Sequence, residues 1–184
     1  PIGSDHITSD IAIGLRTSLE VAEQFKRSCV SALASQIDKR EELDLRDLGA
    51  DSSEIVSTRY VSSIVQARVE EIFEKVEHEL QKIERSGMLP VGAILTGGGV
   101  KLKGVVDVAK AVLRLPASVG VAHQTMFPLT EAAQDPAFTT AIGLVLWGFE
   151  NEKAGISEQR RSSGGSFMQK ISGPLKKVFK SFIP

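Results

Sequence analysis

The run Ile94-Leu95-Thr96-Gly97-Gly98-Gly99-Val100-Lys101-Leu102-Lys103-Gly104 constrains the fold more than any other stretch of the chain. It leaves the apolar segment 91–95, expected as a short strand, passes three consecutive glycines and enters residues 105–113, where the spacing predicts a helix. Strand, glycine turn and helix in that order are the pattern of an α/β protein. Consecutive glycines let a backbone approach a ligand without side-chain interference, at φ values other residues avoid, and their amides can converge on an anion or a ribose. The run is neither a Walker A loop nor GxGxxG, since no Gly-Lys-Ser/Thr follows and the spacing differs. On the glycines by themselves, a tight structural turn and a ligand-facing turn stand equal.

The flanking sequence supplies helices and short strands. Residues 3–12 read as a turn feeding a helix capped by Ser4 or Asp5, and Thr17-Ser18 opens a second helix with a short polar cap. Leu43 and Leu45 alternate as in an edge strand, and residues 54–58 suit another short one. The strongest periodicity lies in 60–86, where Val61, Ile64, Val65, Val69, Ile72, Phe73, Val76, Leu80 and Ile83 fall on one face of a long helix that Gly87 stops. Residues 136–147 read as a further apolar helix suited to covering a sheet. From Asn151 the character changes: Gly155, Ser162, Ser163, Gly164 and Gly165 mark a flexible linker before a last amphipathic segment.

Composition excludes several classes. With 42% hydrophobic and 24% charged residues, the chain is neither disordered throughout nor fibrous, and no apolar run reaches the roughly 18 residues needed to span a bilayer. Cys29 is the single cysteine, which rules out a disulfide framework and a cysteine-rich zinc site, so a reducing, intracellular setting is expected. His6, His78 and His123 share no ligand spacing, and no nucleophile–base constellation or carboxylate pair stands out, so no catalytic or metal residue is assigned. The opening Pro1-Ile2-Gly3 has neither an initiator Met nor a signal peptide and reads as part of something longer. The net charge of -1 hides an asymmetry: residues 161–184 carry five bases and no acid, leaving 17 bases and 23 acids before them. An acidic body with a basic tail argues against a nucleic-acid binder and for a tail with its own anionic target.

Five stretches taken together resemble one family. They are 2–15, Ala22-Glu23-Gln24-Phe25-Lys26-Arg27, Ala67-Arg68-Val69-Glu70-Glu71-Ile72-Phe73, the Leu-Thr-Gly-Gly-Gly turn, and Asp135-Pro136-Ala137-Phe138-Thr139-Thr140-Ala141-Ile142-Gly143-Leu144. Their order and spacing resemble the nucleotide-binding half of actin-like ATPases, and most closely the bacterial cell-division family FtsA. The resemblance implies the C-terminal lobe of an actin-like (ribonuclease-H-like) α/β fold with an inserted small α+β subdomain. The nucleotide-binding subdomain would be 1–15 and 88–150, the insert 16–87, the linker 151–165 and a membrane-targeting helix 166–184. It implies ATP with Mg as cofactor: Gly97, Gly98 and Gly99 against the ribose and α-phosphate, Gly3 near the phosphates, Glu23 and Lys26 at the ribose hydroxyls and adenine edge. A carboxylate accepting from ribose hydroxyls with a cation one turn away suits that task, though an exposed Glu/Lys pair at i, i+3 is otherwise an ordinary helix feature. The loops that position metal and water would lie upstream of Pro1, so this chain by itself is not expected to hydrolyse ATP.

The same resemblance implies partners: the C-terminal tail of FtsZ on the insert, self-association into actin-like filaments, and the cytoplasmic face of the cell membrane at the division site. Arg68 falls inside the apolar stripe of its helix, which suits either a snorkelling side chain or an anchor for an acidic group of a docked FtsZ tail. In the tail, Phe167, Ile171, Leu175, Val178, Phe179 and Phe182 give the apolar share, and Lys176, Lys177 and Lys180 lie with Lys170 on a purely cationic polar face. That is the pattern of an interfacial helix on an anionic membrane, with Pro174 either opening the helix or kinking it. Two other readings remain open: another actin-like ATPase of the pilus-assembly or cell-shape kind, and a non-enzymatic peptide-binding adaptor with a structural glycine turn.

Overall fold

The computed structural model describes residues 2–122 and 131–153 of the chain. The chain divides into two compact units, Pro1–Gly120 and Val121–Pro184. In order, the first contains α1 (Ser4–Leu15), α2 (Leu19–Ser28), β1 (Glu42–Asp44), β2 (Ile55–Ser57), α3 (Thr58–Lys82), β3 (Ala93–Leu95), α4 (Val105–Leu113) and β4 (Ala117–Val119). The second contains α5 (Thr139–Lys153), preceded by the 3-10 turns Glu131–Gln134 and Pro136–Phe138. The result is a mixed α/β chain, mostly helical, with two small sheets among the described residues. α5 runs through Asn151–Lys153, the first three residues of the expected linker. The remainder of that linker and the basic amphipathic segment 166–184, with Phe167, Ile171, Leu175, Lys176, Lys177, Val178, Phe179, Lys180 and Phe182, lie outside the described residues.

Helix ends follow local chemistry. Ser18 caps α2, its Oγ accepting from the Val21 amide at 3.3 Å, as its sequence predicts. At α1 neither Ser4 nor Asp5 is the cap: Gly3 holds that place, its N–H donating to His6 Nδ1 at 3.2 Å while its carbonyl accepts from the His6 amide at 3.0 Å. Ser4 instead enters the first turn, where its hydroxyl serves α2. β1 pairs antiparallel with β2, Leu43 opposite Val56. Leu45 does not continue that strand, because the Asp44 carboxylate accepts from the Arg46 amide at 3.0 Å and starts a 3-10 turn in which Leu45 is buried.

α3 departs most from a straight apolar stripe. Val61, Val65, Val69 and Phe73 are buried four residues apart, and the next step, Glu77, is buried too. A row with i, i+4 spacing is inclined to the helix axis, the geometry of ridges packed into a neighbour's grooves. A stripe drawn along the axis therefore leaves the contact towards its end, and Val76 and Ile83 are exposed. The helix ends at Lys82, ahead of Gly87, which takes a φ of 65° in the turn that follows. Glu77 replaces an apolar group with a held charge. Its Oε1 accepts from Ser86, from Gln81 and from Arg114 Nη2 at 2.8 Å, while Oε2 is buried with no partner among the described residues.

The apolar core joins α1, α2, α3 and α4 through Ile11, Ala22, Phe25, Val61, Val65, Val108 and Leu113. Fully burying one such large side chain is worth about 1.5–3 kcal/mol. β3 and β4 run parallel, Ile94 opposite Ser118, linked by α4 as a βαβ unit. β4 was not expected, since Ala117-Ser118-Val119 is too short and mixed to show a period. Residues 31–33 fasten the end of the glycine run: the Ala32 amide donates to the Lys103 carbonyl at 2.8 Å, and the Ser31 amide donates to Ser62 Oγ of α3 at 3.2 Å.

Gly92 sets the entry to β3. Its φ is +81° and a Cβ there would lie 2.1 Å from the Pro116 carbonyl oxygen, the same oxygen that accepts from the Ala93 amide. Gly92→Ala should therefore lose about 2 kcal/mol or more of stability in urea unfolding. Gly143→Ala, at a helical site with no atom within 4 Å, should be neutral or stabilising in the same measurement.

Candidate functional site

Three segments meet at the N-terminus of α1. The first is the turn of α1 itself, the second the outer side of α2, the third the glycine run. α2 buries Val21, Ala22 and Phe25 against the core, which turns Glu23 and Lys26, three apart, to one flank. Ala22 is wholly buried and has no bulk beyond Cβ, so α1 and α2 pack closely enough for short polar contacts.

Those contacts form one network. Lys26 Nζ donates to Thr8 Oγ1 at 2.7 Å and to Ser4 Oγ at 3.1 Å, with the Ser4 carbonyl at 3.4 Å. It pairs with Glu23 Oε2 at 2.5 Å, and Thr8 Oγ1 donates to that same oxygen at 2.6 Å. The Lys26 side chain is 10% exposed and the Glu23 side chain 41%. Partial burial pushes the Glu23 carboxyl up, but the hydrogen bonds from Lys26 and Thr8 and the charges of Lys26 and Arg27 outweigh it and hold the group below its ordinary range.

The glycine run reaches the same place. A Cβ on Gly99 would lie 3.5 Å from Ser4 Cβ, so this turn rests on the first turn of α1. Gly97 has a φ of 94° with no atom within 4 Å of a Cβ position, which makes the conformation, and not crowding, the reason for glycine. Gly98 is exposed and opens the 3-10 turn Gly98–Lys101. Gly3, at the α1 cap, is extended and likewise has open space where a Cβ would stand. Lys101 and Lys103 are exposed.

Gly3, Glu23, Lys26 and Gly97–Gly99, far apart in sequence, thus line one surface. Its donor set suits a nucleotide: a helix N-terminus and glycine backbone for phosphate, a carboxylate for sugar hydroxyls, and backbone surface open to an approaching group. Ser4 and Thr8, which join the two helices, were not among the expected residues. Their spacing of four on one helix face, with Thr8 buried among apolar neighbours, is the signal that marks them.

Arg68 lies elsewhere, against the middle of α1. Its Nη2 donates to Asp10 Oδ1 at 2.9 Å, its Nε to Asp10 Oδ2 and its Nη1 to Glu71 Oε2. Glu71 is shared, since Lys75 Nζ lies 2.9 Å from its other oxygen. An open groove of about 420 Å³ beside this cluster is lined by Asp10, Ile13, Gly14, Ile64, Ala67, Arg68 and Glu71. The intrusion of arginine into the apolar stripe is thus accounted for by a bidentate bond between α1 and α3.

Residues 1–143 match the family model described as cell division protein FtsA. Similar proteins named cell division protein FtsA include those of Pseudomonas aeruginosa, 31% identical over 157 residues (85% of this chain, 37% of the relative), and Bacillus subtilis, 34% identical over 153 residues (83% and 33%). That of Escherichia coli is 28% identical over 189 residues, 97% of this chain and 45% of the relative. The chain thus spans less than half the length of each of these relatives.

The Glu23 carboxyl sits below its ordinary 4.5, so its contribution to stability is complete above about pH 4.5 and is lost as pH falls through the lowered folded value. Glu23→Gln should remove that increment. Its unfolding midpoint should differ most from wild type near neutrality, and the two should converge below pH 4.5, in thermal melts across pH.

Proposed function

The chain belongs to the FtsA family of cell-division proteins, and on that premise we propose that it is the C-terminal lobe of an actin-like ATP-binding subunit that ties FtsZ filaments to the cytoplasmic face of the membrane at the division site. The observation that carries the nucleotide part is the meeting of Gly97–Gly99 with the Ser4–Thr8–Glu23–Lys26 network at the start of α1. Gly97, Gly98 and Gly99 would hold the ribose and α-phosphate, Gly3 would lie towards the phosphates, and Glu23 and Lys26 would form the sugar side. Bound ATP, with Mg supplied mainly by the other lobe, brings a hydrolysable phosphoanhydride and a switch between nucleotide states. This lobe's own share is to bind and orient.

The groove beside Arg68 supports the FtsZ-tail part. A carboxylate of a docked tail can displace Glu71 from Arg68 without leaving Glu71 unpaired, because Lys75 already holds its other oxygen. Asp10 keeps the guanidinium fork aimed throughout. No helix among the described residues is long and apolar enough to cross a membrane. Attachment is assigned instead to the tail from Ser166, where Phe167, Ile171, Leu175, Val178, Phe179 and Phe182 would enter the interface and Lys176, Lys177 and Lys180 would face anionic headgroups. Basic residues at such a surface contribute about 1 kcal/mol each, so the apolar face supplies the remainder. Head-to-tail assembly of such subunits into filaments belongs to the same reading.

In NMR titration, Mg-ATP should shift the amides of Gly3, Gly97, Gly98 and Gly99 and the residues of the α1–α2 network. Shifts confined to other surfaces would refute the nucleotide site. In flotation with anionic liposomes, the intact chain should float and the chain ending before Ser166 should not, with salt weakening the former. If both stay in solution, membrane tethering by the tail is wrong and a soluble adaptor takes its place.

A further inference from the structure

We infer that Glu77, Ser86 and Arg114 form a clasp that opens in the folded protein, letting the far half of α3 leave α4 while its near half stays pinned. Opening involves neither the residues of the nucleotide reading nor the groove beside Arg68, which lies on the pinned half.

α3 is tied to the α4 region at both ends of α4, and the two ties differ in kind. At the near end every bond is neutral. The Ser31 amide donates to Ser62 Oγ at 3.2 Å, the Ala34 amide to Gln66 Oε1 at 2.9 Å, and the Ala32 amide to the Lys103 carbonyl at 2.8 Å, just ahead of α4. Ser31, Ser62, Val61, Val65 and Val69 are buried around them. Parting α3 from this segment would strip buried donors and acceptors of their partners and expose the tightest apolar packing of the helix.

The far end is built otherwise. Glu77 is buried, and its Oε1 takes all of its bonds: from Ser86 Oγ, from Gln81 Nε2 at 3.2 Å and from Arg114 Nη2 at 2.8 Å. Oε2 is buried with no partner among the described residues. A carboxylate oxygen so placed has lost its water and gained no donor, a cost that opening removes. The Arg114 side chain is 67% exposed, so water can take over its donors as soon as Glu77 leaves. Arg114 (φ 55°) and Glu84 (φ 56°), in the turn that carries Ser86, both hold the left-handed conformation that residues other than glycine adopt at a cost. Apolar burial also thins beyond Phe73: Val76 and Ile83 are exposed and Leu80 is only partly buried. One charged cluster over little apolar contact therefore holds the far half, a combination that favours local opening below the free energy of global unfolding.

The test is native-state amide exchange by NMR on the whole chain, in urea below its unfolding transition. In wild type the amides of 74–82 should share one opening with little dependence on urea, while those of 62–69 follow the urea slope of global unfolding. Protection that rises residue by residue inward would be simple fraying and would overturn the clasp, as would exchange of both halves by global unfolding alone. Glu77→Gln keeps the shape and weakens the charged bonds. It and Arg114→Ala should each speed exchange of 74–82 by about tenfold, the scale of one hydrogen bond to a charged group, with 62–69 unchanged. The double variant should add little to either, since both act on the same bond. Equal acceleration of the two halves would make the cluster an ordinary contributor to global stability and end the inference. Glu77→Leu should slow exchange of 74–82 below wild type, because the oxygen that gains water on opening is gone and the exposed Arg114 keeps its own water. If Glu77→Leu opens as readily as Glu77→Gln, the unmet oxygen does not drive the opening and the proposal fails.

Discussion

The inclined buried row of α3 is what the rest of the first unit is built against. Val61, Val65, Val69 and Phe73 present an i, i+4 ridge, and α1 and α4 both pack on this helix. Because that ridge turns about the helix as it advances, it meets different neighbours at different heights. Near its start lie Ser62 and the segment 31–33, which in turn holds the Lys103 carbonyl and the entrance to α4. Near its end the row continues as Glu77, which is held to Arg114, just past α4, and to Ser86. The βαβ unit that carries the glycine turn is thus fixed at both ends of its helix by one long element.

Polar contacts then do what apolar packing does not. Hydrophobic burial sets which faces of α1 and α2 meet but is indifferent to small slides and rotations. The Lys26 ammonium, with acceptors on both helices, admits one arrangement, and Arg68 does the same lower on α1 by gripping both oxygens of Asp10. Both clamps connect α1 to a neighbour, so α1 is fixed at its start and its middle. Its N-terminus, with Gly3 at the cap and Gly99 resting on Ser4, is where the candidate site lies.

Much of this was legible from sequence because it is local. The cap Ser18 sits one residue before good helix formers, and the helix over 105–113 has the predicted bounds, since capping and period need only neighbours. The glycines at 97–99 announced a turn after a strand. Ser4 and Thr8 were not legible as site residues, because nothing in a hydroxyl's own neighbourhood says that a lysine eighteen residues on will saturate its donors there. Arg68 is visible as an intruder in an apolar stripe, but snorkelling and a peptide anchor both turn it outward, and nothing local in the sequence names Asp10, 58 residues away, as its partner. β4 was missed because three residues of mixed character acquire strand geometry only by pairing with β3.

What the sequence determined by itself was the set of elements and the chemistry available to them: helix caps, helix periods, a turn that only glycine at Gly97 makes readily, and the family whose order of motifs the chain follows. What the tertiary structure decided was which of those groups remain free to act. Lys26 and Arg68 are cations in the sequence on equal terms with any other, yet each has its donors taken by residues of its own helix and of α1, while Glu23 keeps one oxygen out of the network. The physical reason is that hydrogen-bonding capacity is finite and is allotted by distance in space. A sequence lists donors and acceptors, and only packing decides which of them are already paired.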